Sequence, residues 1–354
     1  MSEIIFIKSH GVARRKKIHK SFVTLRVFCT LVVQTLLIIQ TISAQTDTLI
    51  SVHDPVMIRQ DSTYYIFCTG WGISAFSSTD MKHWKQQNPV FSKAPQWAVD
   101  AVPGFKGHIW APDISYHGGQ YYLYYAVSAF GKNTSCIGLA TNKTLDTTSR
   151  DFKWVDHGKV IQSVPGRDMW NAIDPNLIRD ENNIPWLVFG SFWNGIKLVK
   201  LKDDLTAIAE PETWYTVAAR KRDFILPDSV AGDAAIEAPF IFKKDKYYYL
   251  FVSFDYCCRG EKSTYKMMVG RSENVYGPYV DRDGIPMNLG GGSIVLEGNK
   301  SWYGVGHNAA VTFNGTDYLV FHGYDANDNG KPKLRIEKIN WFNDWPVVGW
   351  RPPE

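Results

Sequence analysis

The chain has 354 residues, enough for one large domain or two ordinary ones. Its formal net charge of +4 comes from the N-terminus, since seven of the 39 basic residues and one of the 35 acidic residues lie in residues 1–44. The remaining 32 basic and 34 acidic residues give a net charge of −2, so nothing points to nucleic acid or another polyanion as partner.

The N-terminal residues have the pattern of an export signal. Basic residues at 14–17 and 20 precede 13 residues, 27–39, that are apolar except for Thr and Gln, and small residues follow up to Ala44. This predicts a signal peptide over residues 1–44, a mature domain over 45–354, and a periplasmic or extracellular location. A membrane anchor is the alternative, but spanning a bilayer takes about 20 apolar residues.

Four cysteines remain after residue 44: Cys68, Cys136, Cys257 and Cys258. They are too few for a disulfide framework, and no zinc-type spacing accompanies them. Cys257 and Cys258 could form a disulfide or remain two thiols, and the sequence leaves both open.

From residue 51 onward, short apolar or aromatic runs alternate with turn residues. The first unit is a hairpin over residues 51–69 with its turn at 59–62, and similar units follow at 108–140, 171–199, 235–271 and 309–339. No stretch has a sustained 3.6-residue period, so few helices are expected. Five units of about 60 residues predict a single all-β domain, a five-bladed β-propeller with four-stranded blades. A β-sandwich is the alternative, but it would not explain the repeat.

A polar residue stands before the aromatic strand of each unit, at positions 54, 113, 174, 237 and 307. The inner strand of every propeller blade begins near the central axis, so these side chains should converge. Asp54, Asp174 and Glu237 would then repel one another and raise at least one carboxyl pKa, as catalytic acid–base pairs require. Asp-Pro pairs are also ordinary turn residues, which is the structural alternative. Asp113 follows its proline instead of preceding it, so a structural role is predicted for it.

A glycosidase needs one protonated and one ionised carboxyl, which such crowding supplies, so residues near these acids are candidates for sugar binding. Trp110 and Phe192 could stack on sugar rings, and Asn171 could donate a hydrogen bond to a sugar hydroxyl. His307, between Gly306 and Asn308, could serve either a hydrogen-bond network or a metal ion.

The order of these motifs resembles glycoside hydrolase family 43 over residues 50–350. The shared segments are VHDP at 52–55, WAPD at 110–113, NAIDPN at 171–176, IEAPF at 236–240 and GHN at 306–308. Segments 190–196 (GSFWNGI) and 254–260 (FDYCCRG) are similar to those of the family's endo-1,5-α-L-arabinanases.

The resemblance implies an endo-acting, inverting hydrolase of α-1,5-linked arabinan. Asp54 would be the general base and Glu237 the general acid, with Asp174 orienting Glu237 and keeping it protonated. His307 would help to hold a central calcium ion whose shell is largely water. We expect a monomer. Two alternatives stay open: an exo-acting α-L-arabinofuranosidase or β-xylosidase of the same family, and a carbohydrate-binding propeller without turnover.

Overall fold

The computed structural model describes residues 49–349, and the predicted signal peptide lies outside this range. The described residues belong to one compact unit. The strands are β1 (Val56–Gln60), β2 (Thr63–Cys68), β3 (Gly70–Trp71), β4 (Ser74–Ser78), β5 (Lys85–Gln86), β6 (His108–His117), β7 (Gln120–Val127), β8 (Ser135–Asn142), β9 (Val155–Ser163), β10 (Asn176–Arg179), β11 (Pro185–Phe189), β12 (Ile196–Lys200), β13 (Trp214–Ala218), β14 (Ile236–Lys244), β15 (Tyr247–Phe254), β16 (Lys266–Ser272), β17 (Ser293–Leu296), β18 (Trp302–Phe313), β19 (Thr316–Asp325), β20 (Lys331–Phe342) and β21 (Trp345–Val348).

These strands form five antiparallel sheets, which confirms the predicted five-bladed propeller with four-stranded blades. Four sheets have four strands in the orders β1-β2-β4-β5, β10-β11-β12-β13, β14-β15-β16-β17 and β18-β19-β20-β21. The remaining sheet, β3-β6-β7-β8-β9, gains a fifth strand because the two-residue β3 pairs with the start of β6.

Helices are few, as predicted. In the described part of the chain there is one α-helix, α1 (Gln96–Ala101), and two 3₁₀ turns at Gly260–Lys262 and Met287–Leu289. No helix among residues 49–349 has the length and apolar character to cross a membrane.

The second strand of each blade is largely buried, because neighbouring blades cover both of its faces. β11 (PWLVF) is buried at every residue, and β15 (YYYLFVSF) at every residue but the first. Aromatic and branched side chains suit such a doubly covered strand.

The hydrophobic core is divided among the five blade junctions. Each cluster joins residues of two consecutive blades: Phe67 with Leu123, Leu139 with Leu187, Val188 with Leu250, Phe251 with Phe321, and Ile66 with Val320. The last pair joins the first blade to the fifth, so the ring is closed by packing.

Backbone pairing reinforces this closure. The N–H of Leu334 in β20 donates to the carbonyl of Ile50 at 3.0 Å, and the Ser51 hydroxyl donates to the carbonyl of Pro332 at 3.0 Å. The segment before β1 is therefore bound to the last blade, which holds Asp54 against the residues of β18 and β19.

Candidate active site

Every blade has a residue in the left-handed conformation at the inner end of its first strand. These residues are Asp54 (φ 53°), Ala111 (41°), Asp174 (57°), Ala238 (55°) and His307 (51°). A positive φ is uncommon outside glycine, so its recurrence marks the equivalent position of the repeat.

This corrects the predicted register at two of the five positions. Asp113 lies two residues after the equivalent position and Glu237 one residue before it. The ladder is irregular at the same places, between Trp110 and Asp113 in β6 and between Glu237 and Phe240 in β14. In the first four blades the left-handed residue precedes a proline, and aligning those prolines would have found the register from sequence.

Side chains of neighbouring blades hold this inner ring together. Four backbone N–H groups at the equivalent position donate to them: Ala111 to Thr69 Oγ1 (2.8 Å), Ala238 to Asp174 Oδ2 (2.9 Å), His307 to Ser253 Oγ (2.9 Å) and Asp54 to His322 Nδ1 (3.1 Å). Buried backbone donors are costly to leave unpaired, so these contacts position the inner residues around one axis.

Asp54 is a buried carboxylate with three hydrogen-bond donors. Nδ1 of His53 and Nδ1 of His307 donate to its Oδ1 at 2.7 and 3.0 Å, and the Thr69 hydroxyl donates to Oδ2 at 2.6 Å. Burial alone would raise the pKa of Asp54, but the adjacent His307 and His53 hold it well below its usual range. Asp54 is therefore ionised, as a general base must be.

Two of the three histidines beside Asp54 differ in charge. His322 accepts the Asp54 N–H through Nδ1, and burial lowers the pKa of His322 well below its ordinary value, so this ring is neutral. Burial would also lower the pKa of His307, but the carboxylates of Asp54 and Asp174 raise it to about 9. Position 307 therefore favours positive charge.

Asp174 is buried near the other acids and resists ionisation. Burial first, and then repulsion from Glu237 and Asp54, raise the pKa of Asp174 to about 8, although His307 and the Ala238 N–H favour the charged form. Asp174 therefore holds its proton more strongly than a solvent-exposed aspartic acid does.

Glu237 lies between two hydroxyl groups that the sequence did not reveal. The Ser191 hydroxyl donates to Oε2 at 2.9 Å and the Tyr265 hydroxyl to Oε1 at 2.8 Å. After burial, the charges of Glu237, Asp174 and Asp54 all raise the pKa of Tyr265. The structure therefore brings the three predicted acids together around one site.

The predicted sugar-binding residues have unequal access to ligand. Phe192 and Trp110 are partly exposed, and the indole N–H of Trp110 donates to Nδ1 of His108 at 3.1 Å. Asn171 is only 4% exposed, and its Oδ1 has no hydrogen-bond partner among the described residues. Trp71, left out of the predicted set, is 64% exposed and packs edge-to-face on His108.

Phe192 lies beside the strand that carries Glu237, because its N–H donates to the carbonyl of Ile236 at 2.8 Å. The neighbouring Trp193 points elsewhere: it is buried, and its indole N–H donates to the carbonyl of Asp228 at 2.9 Å. Phe192 is thus the member of the pair that is open to a ligand.

Cys257 and Cys258 form a disulfide, which settles the choice left open by the sequence. The Cys258 N–H donates to the Tyr324 hydroxyl at 2.7 Å, and this hydroxyl lies 2.8 Å from Nε2 of His53. The disulfide segment therefore borders the residues that hold Asp54.

Calcium, which the family resemblance implies at His307, can be tested against this geometry. Nδ1–H of His307 donates to Asp54, so Nε2 could bind a cation only after the ring loses the proton that its pKa of about 9 otherwise retains. Among the described residues, His307 does not belong to any group of three side chains suited to a metal. Calcium takes about six to eight oxygen ligands, so water would have to supply most of them. A cation bound there in place of the ring proton would face the same carboxylates, Asp54 and Asp174.

Comparison with known proteins agrees with the fold. The family model for Glycosyl hydrolases family 43 matches residues 49–346. The extracellular exo-α-(1→5)-L-arabinofuranosidase of Cellvibrio japonicus is 53% identical over 300 residues, 84% of this chain and 86% of that protein. The extracellular endo-α-(1→5)-L-arabinanase 1 of Bacillus subtilis is 44% identical over 298 residues, 83% of this chain and 86% of that protein.

Among solved structures, an α-L-arabinanase of Cellvibrio cellulosa complexed with arabinohexaose superposes with a TM-score of 0.84 at 53% identity, covering 85% of this chain and 96% of that one. The resemblance noted in the motifs thus extends over the whole propeller. The chain belongs to glycoside hydrolase family 43 and is a glycoside hydrolase similar to the family's arabinanases.

Proposed function

We propose that the protein hydrolyses the α-1,5 links of arabinan by single displacement with inversion, with Asp54 as base and Glu237 as acid. The observation that carries the proposal is the ionised Asp54 in one site with two further carboxyls. Glu237 is held by the hydroxyls of Ser191 and Tyr265, and burial keeps Asp174 protonated. The substrate is inferred from relatives named for arabinan links and from one whose structure holds arabinohexaose.

The hydrogen bonds of Asp54 indicate which oxygen acts. Each carboxylate oxygen accepts about two hydrogen bonds, and Oδ1 already accepts from His53 and His307. Oδ2 accepts only from Thr69. Oδ2 is therefore the oxygen that takes the proton of the attacking water.

Water attacks the anomeric carbon while Glu237 gives its proton to the leaving sugar oxygen. Inversion needs the base and the acid on opposite sides of the sugar, about 6.5–9.5 Å apart. Asp174 keeps its own proton, because burial and the charge of Glu237 oppose its ionisation. No step is assigned to calcium, which we propose only as an ion held by His307.

Two modes of attack each have an observation in their favour. The motif segments at 190–196 and 254–260 favour endo cleavage of internal links. The 53% identity to a protein named as an exo-acting arabinofuranosidase favours release from chain ends. Incubation with debranched arabinan separates them, since short oligomers of many sizes appear early in endo cleavage and a single small product appears in exo cleavage.

The catalytic assignment is tested with Glu237→Gln on the same substrate. General acid catalysis contributes about 10²–10⁴-fold, so hydrolysis should fall by that factor while binding of arabinan is retained. The matched control is Asp113→Asn, the same change at a buried acid, which should keep turnover within about threefold. NMR of the first product should show the inverted anomer. A retained anomer, or normal turnover in Glu237→Gln, contradicts the mechanism.

Export and a monomeric state complete the proposal. Export rests on the signal-like pattern of residues 1–44 and on relatives named extracellular. Mass spectrometry of the secreted protein should find an N-terminus after Ala44, and light scattering should give the mass of one chain.

A further inference from the structure

Tyr265 contacts the carboxyl of Glu237 from inside the protein. It lies just before β16, its side chain is 1% exposed, and its hydroxyl donates to Oε1 at 2.8 Å. Burial and the nearby carboxylates hold the pKa of this phenol well above its ordinary value. The hydroxyl therefore keeps its proton and can always donate to the carboxyl.

The ring of Tyr265 is held in place from two sides. A Cβ on Gly306 would come within 2.2 Å of ring atom Cδ1, so only glycine lets β18 pass this close. The ring also stacks on His322 at 5.9 Å, and the carbonyl of Tyr265 accepts the Val305 N–H at 3.0 Å. Tight packing of this kind leaves the hydroxyl little freedom to move.

Ser191 contacts the other carboxyl oxygen and behaves differently. Its hydroxyl lies 2.9 Å from Oε2 and can rotate to donate or accept. Tyr265 donates to Oε1 whether Glu237 is protonated or not, so a proton on Oε1 would point at the hydrogen of the phenol. A proton on Oε2 avoids this clash, because the Ser191 hydroxyl can rotate away.

We propose that Tyr265 is a positioning residue for Glu237, which holds Oε1 so that Oε2 carries the proton given to the leaving sugar oxygen. This inference rests on the proposed function, because it needs Glu237 to be the general acid. In the reaction the O–H bond of Oε2 breaks, a new O–H bond forms on the leaving sugar, and the resulting carboxylate keeps the hydrogen bonds of Tyr265 and Ser191.

The test compares two leaving groups in Tyr265→Phe, which keeps the ring and removes the hydroxyl. A sugar leaving group needs protonation, whereas dinitrophenolate leaves without it. Misplacement of a catalytic group by about 1 Å costs up to about 10²-fold. We expect kcat on an α-1,5-arabino-oligosaccharide to fall about 10–10²-fold, and kcat on the dinitrophenyl arabino-oligoside to stay within about threefold.

Tyr279→Phe is the matched control. Tyr279 is also about 1% exposed, but its hydroxyl donates to the carbonyl of Val275 at 2.6 Å. It should lose stability as Tyr265→Phe does, with no difference between the two substrates. Equal losses on both substrates in Tyr265→Phe, or no loss on either, would overturn the proposal.

A second variant serves if Tyr265→Phe does not fold. Ser191→Ala leaves Oε1 held by Tyr265, so this variant should reduce oligosaccharide hydrolysis less than tenfold. A loss as large as that of Glu237→Gln would refute the assignment of Oε2 as the proton donor. Glu237→Gln distinguishes a failure of the proposed function from a failure of this inference. If Glu237→Gln loses the same activity on both substrates, the proposed function fails. If Glu237→Gln loses more on the oligosaccharide but Tyr265→Phe does not, only this inference fails.

Discussion

Replacing Asp174 by Asn is expected to stabilise the protein above neutral pH while lowering its turnover. Burial, with the charges of Glu237 and Asp54, raises the pKa of Asp174 from 3.8 to about 8. The folded protein therefore keeps a proton on this carboxyl that the unfolded chain releases. The free energy of unfolding falls as pH rises from 3.8 to about 8, and asparagine, neutral at every pH, removes this loss.

The size of the effect follows from the shift. At about 1.36 kcal/mol per pH unit, a pKa raised from 3.8 to about 8 corresponds to roughly 5–6 kcal/mol. Part of the gain is lost because His307, with a pKa raised to about 9, no longer faces a charge at position 174. We expect about 2–3 kcal/mol at pH 8 and above, or roughly 4–6 °C in Tm at about 2 °C per kcal/mol.

Calorimetry of the parent and of Asp174→Asn from pH 4 to pH 9 checks this. The Tm difference should be near zero at pH 4 and reach its maximum at about pH 8. Asp113→Asn is the matched control: burial raises the pKa of Asp113 to about 6, so its Tm difference should stop growing there. A difference for Asp174→Asn that is independent of pH, or a lower Tm at pH 8, would refute the charge balance described for the site. Hydrolysis of arabinan should fall at least tenfold.

Three further predictions concern structure, substrate and metal. Asp113→Ala leaves the buried Leu177 N–H, which donates to Asp113 Oδ2 at 2.9 Å, without a partner, so urea titration should show a loss of about 1–3 kcal/mol at nearly unchanged kcat. Trp71→Ala removes an aromatic side chain that is 64% exposed. If this side chain stacks on a sugar, the loss of about 1 kcal/mol should raise KM for long oligosaccharides roughly fivefold with kcat retained. An unchanged KM would place Trp71 outside the substrate-binding surface. Removal of divalent ions should lower Tm until calcium is restored, since a bound ion stabilises the folded state. In His307→Gln this calcium dependence should be absent, and its persistence would locate the ion elsewhere.

Local signals in the chain were sufficient for the fold and for part of the site. Doubly buried strands leave apolar runs such as β11 and β15, and their recurrence about every 60 residues indicates blades. Asp54, Asp174 and His307 were found because each occupies the same point of its unit. Glu237 was found as well, although the structure places it one residue from the equivalent position.

The groups that contact these acids were not predictable in the same way. Ser191 lies 46 residues before Glu237, and Tyr265 lies 28 residues after it. His322 is 268 residues from Asp54, whose N–H it accepts. A single serine, tyrosine or histidine has no sequence pattern that identifies its partner.

The sequence alone therefore determined the repeat, the order of the blades and most of the acids, because strand burial and turn chemistry act over a few neighbouring residues. The tertiary structure decided the partners, and with them the charge of each group. The closed ring brings distant strands to one axis, and there Asp54 is ionised beside two histidines while Asp174 retains its proton among carboxyls. Protonation depends on burial and on the nearest charges, and both are set only when the blades meet.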